Sequence, residues 1–262
     1  MAEEHNMTVI AEFLRAQNLL MPHGFFTRRG GVSDGPFASL NCSLSGKDAR
    51  DNVLENRARA ARAVGAEPSD LVGIHQVHGT DVTYVTEPWT PGNGPRADAM
   101  VTDRGGIALG IVTGDCAPVL FADPDAGVIG AAHAGWRGAV AGVLEATLAA
   151  MAARGARAGR IAAAVGPCIG QASYEVGVDL RRAVLGRDPA DARFFAPGQR
   201  ALHWQFDLPG YCAARLAAAG VGATEVLGCD TLADEARFFS HRRRTLAGGG
   251  MIGHQISIIA RV

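Results

Sequence analysis

Three short apolar runs, Ile107–Thr113, Val119–Asp123 and Val128–Ala132, follow one another closely, each bounded by Gly, Pro or Asp. Runs this short and this apolar are expected of buried strands rather than helices. A fold that accepts them must cover them, and the same sequence supplies the cover. Residues 49–65 carry Val53, Leu54, Ala58, Ala61 and Val64 at helical spacing, and Gly65 ends them. Arg137–Arg154 is a second helical stretch rich in Ala, Leu and Met, and Tyr174–Val184 and Leu208–Ala219 read as further helices.

More strands are expected at 22–29, Leu71–His75, Asp81–Thr86, Ile161–Val165, Thr224–Leu227 and Ile256–Ala260. The segment 88–96 holds three prolines and two glycines and reads as a loop. Adjacent strands early and strand–helix alternation later suit an α+β or mixed α/β fold. No linker or repeat divides residues 1–262, so a single domain is expected, with 1–21 read partly as an N-terminal extension.

Charge excludes some partners. Lys and Arg number 25 against 26 Asp and Glu, which gives no footprint for nucleic acid or a membrane surface. The apolar stretch 107–122 is interrupted by Asp115 and Pro118, so no transmembrane helix is expected. The N-terminus is acidic where a signal peptide would be basic. Five scattered cysteines argue against a disulfide framework and for a reducing cytoplasm.

Three residues have the character of metal ligands: His78 in Gln76-Val-His-Gly, Cys116 in Gly114-Asp-Cys-Ala-Pro, and His133 in His-Ala-Gly-Trp-Arg-Gly. Two imidazoles and a thiolate leave a fourth tetrahedral position of zinc open, the pattern of a catalytic rather than a structural site. Each residue also has a plainer reading. A lone cysteine is often a small buried hydrophobe, and a histidine at a strand end is often a hydrogen-bonded core residue. No pair is near enough in sequence to form a local chelate, so spacing leaves both readings open.

Asp115 and His75 stand nearest as orienting or proton-transferring groups, with Cys116 the third candidate catalytic residue; a turn cap and a strand residue are their plain readings. Arg28, Asn41, Gln76, Phe239 and Arg243 are the candidate substrate-binding residues. Arginine beside a glycine turn, as at Arg28, suits phosphate or carboxylate. At least two of Arg242, Arg243 and Arg244 are expected on a solvated basic surface, and Phe239 is as readily core as a stacking ring.

Taken in order, the strings His23-Gly-Phe-Phe-Thr-Arg-Arg-Gly-Gly-Val-Ser-Asp-Gly-Pro, Ser39-Leu-Asn, Asn56-Arg57, Gln76-Val-His-Gly-Thr-Asp, Ala97-Asp-Ala, Gly114-Asp-Cys-Ala-Pro-Val, His133-Ala-Gly-Trp-Arg-Gly, Gly166-Pro-Cys-Ile-Gly, Tyr174-Glu-Val-Gly and Phe238-Phe-Ser-His-Arg-Arg are specific. The chain resembles the YfiH-like family, also called multicopper polyphenol oxidase or laccase-domain proteins, from about residue 22 to its end. The resemblance implies an α/β/β/α layered fold and a zinc site, with copper possible, on His78, Cys116 and His133. It further implies phosphorolysis of adenosine, inosine, guanosine and methylthioadenosine, deamination of adenosine, and hence nucleosides and phosphate as partners. Bacterial members also carry a peptidoglycan-editing label.

The chain departs from the family at His241, where Tyr is usual, and at Ala247-Gly-Gly-Gly250, where Thr-Gly-Arg is usual. The second change removes an arginine that could have contacted phosphate.

The oxidase name meets a chemical objection. Multicopper oxidases need many histidines, typically as His-x-His pairs, whereas this chain has eight histidines and no such pair. Copper still competes well for N/S ligands. Alternative readings are a cysteine hydrolase or amidase acting on peptidoglycan precursors, with Cys116 as nucleophile and His133 as base; a copper-dependent polyphenol oxidase; and a non-catalytic metal-binding module.

Overall fold

The computed structural model describes residues 10–262; the acidic start of the chain, 1–9, lies outside the described residues. One five-stranded sheet runs in the order β1 (Phe13–Leu14), β2 (His23–Phe26), β14 (Gln255–Arg261), β6 (Ile107–Thr113) and β3 (Leu71–Val72). A six-stranded sheet runs β13 (Ala223–Val226), β9 (Ala162–Val165), β7 (Ala117–Asp123), β8 (Val128–Ala134), β5 (Ala99–Thr102) and β4 (Val82–Tyr84). A small sheet joins β10 (Glu175–Val176), β12 (Trp204–Phe206) and β11 (Phe195–Pro197). The helices are α1 (Arg50–Ala63), α2 (Trp136–Ala141), α3 (Val143–Ala152), α4 (Val178–Arg187), α5 (Leu208–Ala218) and α6 (His241–Leu246).

Alternation along the strands explains the stacking. On β14, Ile256, Ile258 and Ala260 meet Ala60, Ala61 and Val64 of the α1 region, while Ile259 turns the other way. There it joins Phe25, Leu109 and Ile111 of its own sheet and Leu120, Ala122, Ile129 and Ala131 of the six-stranded sheet. The opposite faces of β7 and β8 pack Val119, Phe121, Val128 and Ala132 against Val143, Leu144 and Met151 of α3 and Tyr211 and Leu216 of α5. The order is therefore helix, sheet, sheet, helix: an α+β fold of α/β/β/α layers with mixed sheets. Both sheets are buried on two faces, which is why their strands read as unbroken apolar runs. Each fully buried Leu, Ile or Phe contributes about 1.5–3 kcal/mol to this stacking.

Several expectations need correction. The stretch 137–154 is two helices, because Gly142 takes φ 107° and ends α2 before α3 begins. Tyr174–Val184 begins as strand: Glu175 and Val176 pair with Gln205 and Trp204, and the helix starts only at Val178. Residues 10–21 are less of an extension than expected, since Phe13 and Leu14 pair with Phe26 and Phe25, and Ala16 and Leu19 are buried between the sheets. Strand β5, unmarked by periodicity, pairs along its whole length with β8. Among the described residues, no helix is long and apolar enough to cross a membrane, and all five cysteines are free.

Candidate metal centre and its cavity

Strand pairing brings the three ligand-type residues together. In the β7/β8 hairpin Ala117 lies opposite Ala134 and Pro118 opposite His133, so Cys116, one residue before β7, reaches the same sheet end as His133. The first residues of β5 and β4 pair at that end too: Ala99 with Ala132, and Val82 with Ala99. The loop carrying His78 leads into β4. One ligand atom from each of His78, Cys116 and His133 lies within 4.8 Å of the others. Cys116 Sγ is 3.9 Å from His78 Nε2, and the two imidazoles meet edge-on with centroids 4.7 Å apart. Gly135 allows this closeness, since a Cβ there would lie 2.9 Å from His78 Cδ2 and 3.0 Å from Cys116 Sγ.

Behind the cluster stands Asp98, fully buried. Its carboxylate accepts the backbone N–H groups of Val77 (3.2 Å), His78 (2.9 Å) and Gly79 (2.6 Å), and it pairs with His133 Nδ1 at 2.8 Å. These bonds hold His78 at φ 61°, an uncommon conformation for a side chain other than glycine. They also take up His133 Nδ1, leaving Nε2 for the cluster. Burial alone would raise the Asp98 pKa, but the His133 contact and the backbone N–H groups outweigh it and hold the carboxyl below its ordinary range.

The electrostatics of the cluster are tightly coupled. Burial opposes ionisation of Cys116, yet the charge and hydrogen bond of His133 and the contact with His78 pull its thiol down to about 6. Burial likewise opposes a charged His133, and Cys116 and Asp98 override it, raising the imidazole to about 9. A thiolate is therefore favoured at neutral pH. Donors around a tetrahedral zinc lie roughly 3.3–3.8 Å apart. The two-nitrogen, one-sulfur donor set and the Asp98–His133 pair fit such an ion, and the donors would draw together from their spacing of up to 4.8 Å to hold it.

The cluster opens on a cavity of about 620 Å³. Trp136 and Tyr174 supply aromatic wall, and His75, Gln76 and Asp115 line it as well. Gln76 is committed to the strand beside it, donating to the Val112 carbonyl and accepting from the Val112 N–H. Asp115 accepts the Thr231 hydroxyl at 2.7 Å and the Arg242 N–H, so both its oxygens are engaged.

The other expected contacts lie away from the cavity. Arg28 donates to the Ala38 and Glu235 carbonyls and lies over the Phe239 ring at 4.5 Å, closing loops instead of facing a ligand. Phe239 is 2 % exposed beneath it. Asn41 is buried, donating to Asp48 and accepting from Ser43 and His254 backbone. Arg243 spends its donors on the carbonyls of Phe238, Thr231 and Leu232. Arg242 lines the cavity instead, donating to the Glu175 carbonyl with its Cζ 5.4 Å from the Tyr174 ring centroid. The arginine run is thus not a free basic surface, because α6 caps on Ser240 and turns each side chain into protein contacts. His241 lies on the cavity rim, and the Gly248–Gly250 turn stands outside its lining.

Asp98 and Arg57 stand in two of the family-like strings, but the sequence assigns them no role, and it does not single out His254 at all. Asp98 carried one signal, a carboxylate between alanines at the mouth of an apolar run. Arg57 carried another, since it lies four residues from both Val53 and Ala61 on the buried face of α1. His254 gave none.

Comparison with known proteins gives one answer over most of the chain. The family model described as multi-copper polyphenol oxidoreductase laccase matches residues 22–261. A purine nucleoside phosphorylase of Deinococcus radiodurans is 45 % identical over 239 residues, covering 88 % of this chain and 87 % of the relative. The Escherichia coli purine nucleoside phosphorylase YfiH is 40 % identical over 226 residues, covering 85 % and 88 %. The crystal structure of Bacillus licheniformis hypothetical protein YfiH superposes with a TM-score of 0.85 at 29 % identity, covering 92 % of each chain.

Proposed function

The chain belongs to the YfiH-like family of laccase-domain proteins, and from that premise we propose that it is a zinc-dependent purine nucleoside phosphorylase. Its substrates on this reading are adenosine, inosine, guanosine and methylthioadenosine, with deamination of adenosine as a second activity, in a reducing cytoplasm. The carrying observation is a three-ligand cluster open to a cavity with room for a nucleoside and phosphate, in a chain 45 % identical to a protein named for this activity.

His78, Cys116 and His133 would hold the metal, with Asp98 fixing two of them. A bound zinc would supply a Lewis-acidic centre. The remaining chemistry falls to the chain. Phosphorolysis forms a bond from a phosphate oxygen to C1′ while the C1′–N9 bond breaks, and its electron pair leaves with the purine, which takes up a proton. Tyr174 and Trp136 offer faces for a flat base. Arg242 brings positive charge to the wall where negative charge develops, and its backbone is anchored by Asp115.

The test is incubation of zinc-loaded protein with adenosine or inosine and phosphate, with products separated chromatographically. Free base and ribose 1-phosphate, lost on chelation and restored by zinc, are expected. Their absence sinks the reading, and turnover that persists after chelation, with iodoacetamide-sensitive Cys116, turns it toward a cysteine hydrolase. Metal analysis of protein purified without added metal decides zinc against copper.

A further inference from the structure

Arg57 is buried in the cavity wall and has almost nothing to bind. It is 5 % exposed, on the buried face of α1, beside Gly73 and Gly110. Its Nη1 donates to the Cys42 carbonyl at 3.3 Å, and its Nη2 has no hydrogen-bond partner. The ionisable neighbour that its charge feels is the Cys42 thiol, which burial pushes up to about 12 and so keeps neutral. Among the described residues no carboxylate forms an ion pair with it. Arg215, by contrast, a little more exposed, meets the buried Asp191 at 3.1 Å.

A guanidinium stays charged in protein, and burial without a counter-charge is unfavourable unless something else supplies the anion. Gly73, Gly94, Gly110 and Ser45 line the same cavity, the glycines letting backbone pack closely there: a Cβ at Gly94 would collide with the Gly73 carbonyl, and one at Gly110 would lie 2.9 Å from Leu71 Cδ1. A Cβ at Gly73 would lie 3.2 Å from Nη2 and 3.5 Å from the Gly110 carbonyl, which places the guanidinium beside the middle of β6. The same strand leads through Gly114 to Cys116. Arg57 and the cluster therefore line different stretches of one cavity.

We propose that Arg57 binds inorganic phosphate at the end of the cavity away from His78, Cys116 and His133. The nucleoside then lies between the phosphate and the metal-type cluster, with Tyr174 and Trp136 along its length. The identity of the anion rests on the phosphorylase reading; the existence of an oxyanion site rests on Arg57 alone.

Three measurements test it. Calorimetric titration with inorganic phosphate is expected to show binding to the wild type, weakened about tenfold or more in Arg57→Met and less in Arg57→Lys, which keeps a point charge. In steady-state kinetics the KM for phosphate should rise in parallel, with the KM for nucleoside little changed. Tungstate soaked into wild-type crystals should give an anomalous peak against the Arg57 guanidinium, a readout that does not depend on either variant folding. Unchanged phosphate affinity in a cooperatively folding Arg57→Met, or tungstate confined to Arg242 or the cluster, overturns the proposal. Arg57-dependent phosphate binding without nucleoside turnover supports this site and removes the phosphorylase. Phosphorolysis with a phosphate KM indifferent to Arg57 does the reverse.

Discussion

Asp98 and Arg57 are both charged and both buried, one behind the ligand cluster and the other in the cavity wall. Asp98 is fully answered by protein: three backbone N–H groups and an imidazole converge on its two oxygens. Arg57 has one long bond and an empty Nη2. A buried charge satisfied from within organises the fold, whereas one left unsatisfied is poised toward a partner from outside. The first kind is costly to remove and the second is not.

That difference is most exposed by Asp98→Ala. The substitution strands three N–H groups and His133, and it should cost about 3–5 kcal/mol of folding stability. It should also weaken metal binding by about 10–100-fold. Urea unfolding and a competitive metal titration measure the two effects, and an unmoved unfolding midpoint would break the comparison. The Asp98 pKa is lowered in the fold. Its contribution is therefore complete above the unfolded carboxylate value near pH 4 and is lost as pH falls through the lower folded value.

His254 lies between these extremes. It lines the cavity, its Nδ1 is unpartnered, and burial together with the charges of His241, Arg244 and His133 depresses it to about 4, against a small opposing pull from Asp115. The unfolded chain binds the proton first as pH falls from 6.5, so stability is complete above 6.5 and declines toward 4. A loss on the order of 2 kcal/mol across that window is expected, and His254→Gln should flatten the slope. Equal slopes for the two proteins in urea titrations at pH 7 and pH 5 would remove His254 from the account.

The smallest effect is expected at Arg57 itself. Arg57→Met exchanges an unpaired buried charge for an apolar chain of similar length, and folding stability should stay within about 1 kcal/mol of the wild type. A loss as large as that of Asp98→Ala would mean that Arg57 is answered by protein after all, and the contrast between the two charges would collapse.

Much of the scaffold was legible in the chain. The runs at 107–113, 119–123 and 128–132 are strands because residues buried on both faces leave no polar periodicity to mislead. The break at Gly142 and the strand at Glu175–Val176 were not legible. The first depends on a backbone angle that glycine permits without requiring, and the second on a pairing partner at Trp204–Phe206. Among site residues, His78, Cys116 and His133 carried their chemistry in their side chains. Arg28, Asn41, Phe239 and Arg243 did too, yet the fold spends them on loop carbonyls, backbone amides and core.

Composition and local order by themselves determined that this chain builds covered sheets, offers two imidazoles and a thiolate beside turns, and carries no His-x-His pair. Tertiary structure alone decided that those three groups share one sheet end, that Asp98 stands behind them, and that Arg242 and Arg57 face the cavity. The reason is physical. A side chain's chemistry is local, whereas its role depends on which groups from distant segments satisfy it, and strand register and helix packing set that.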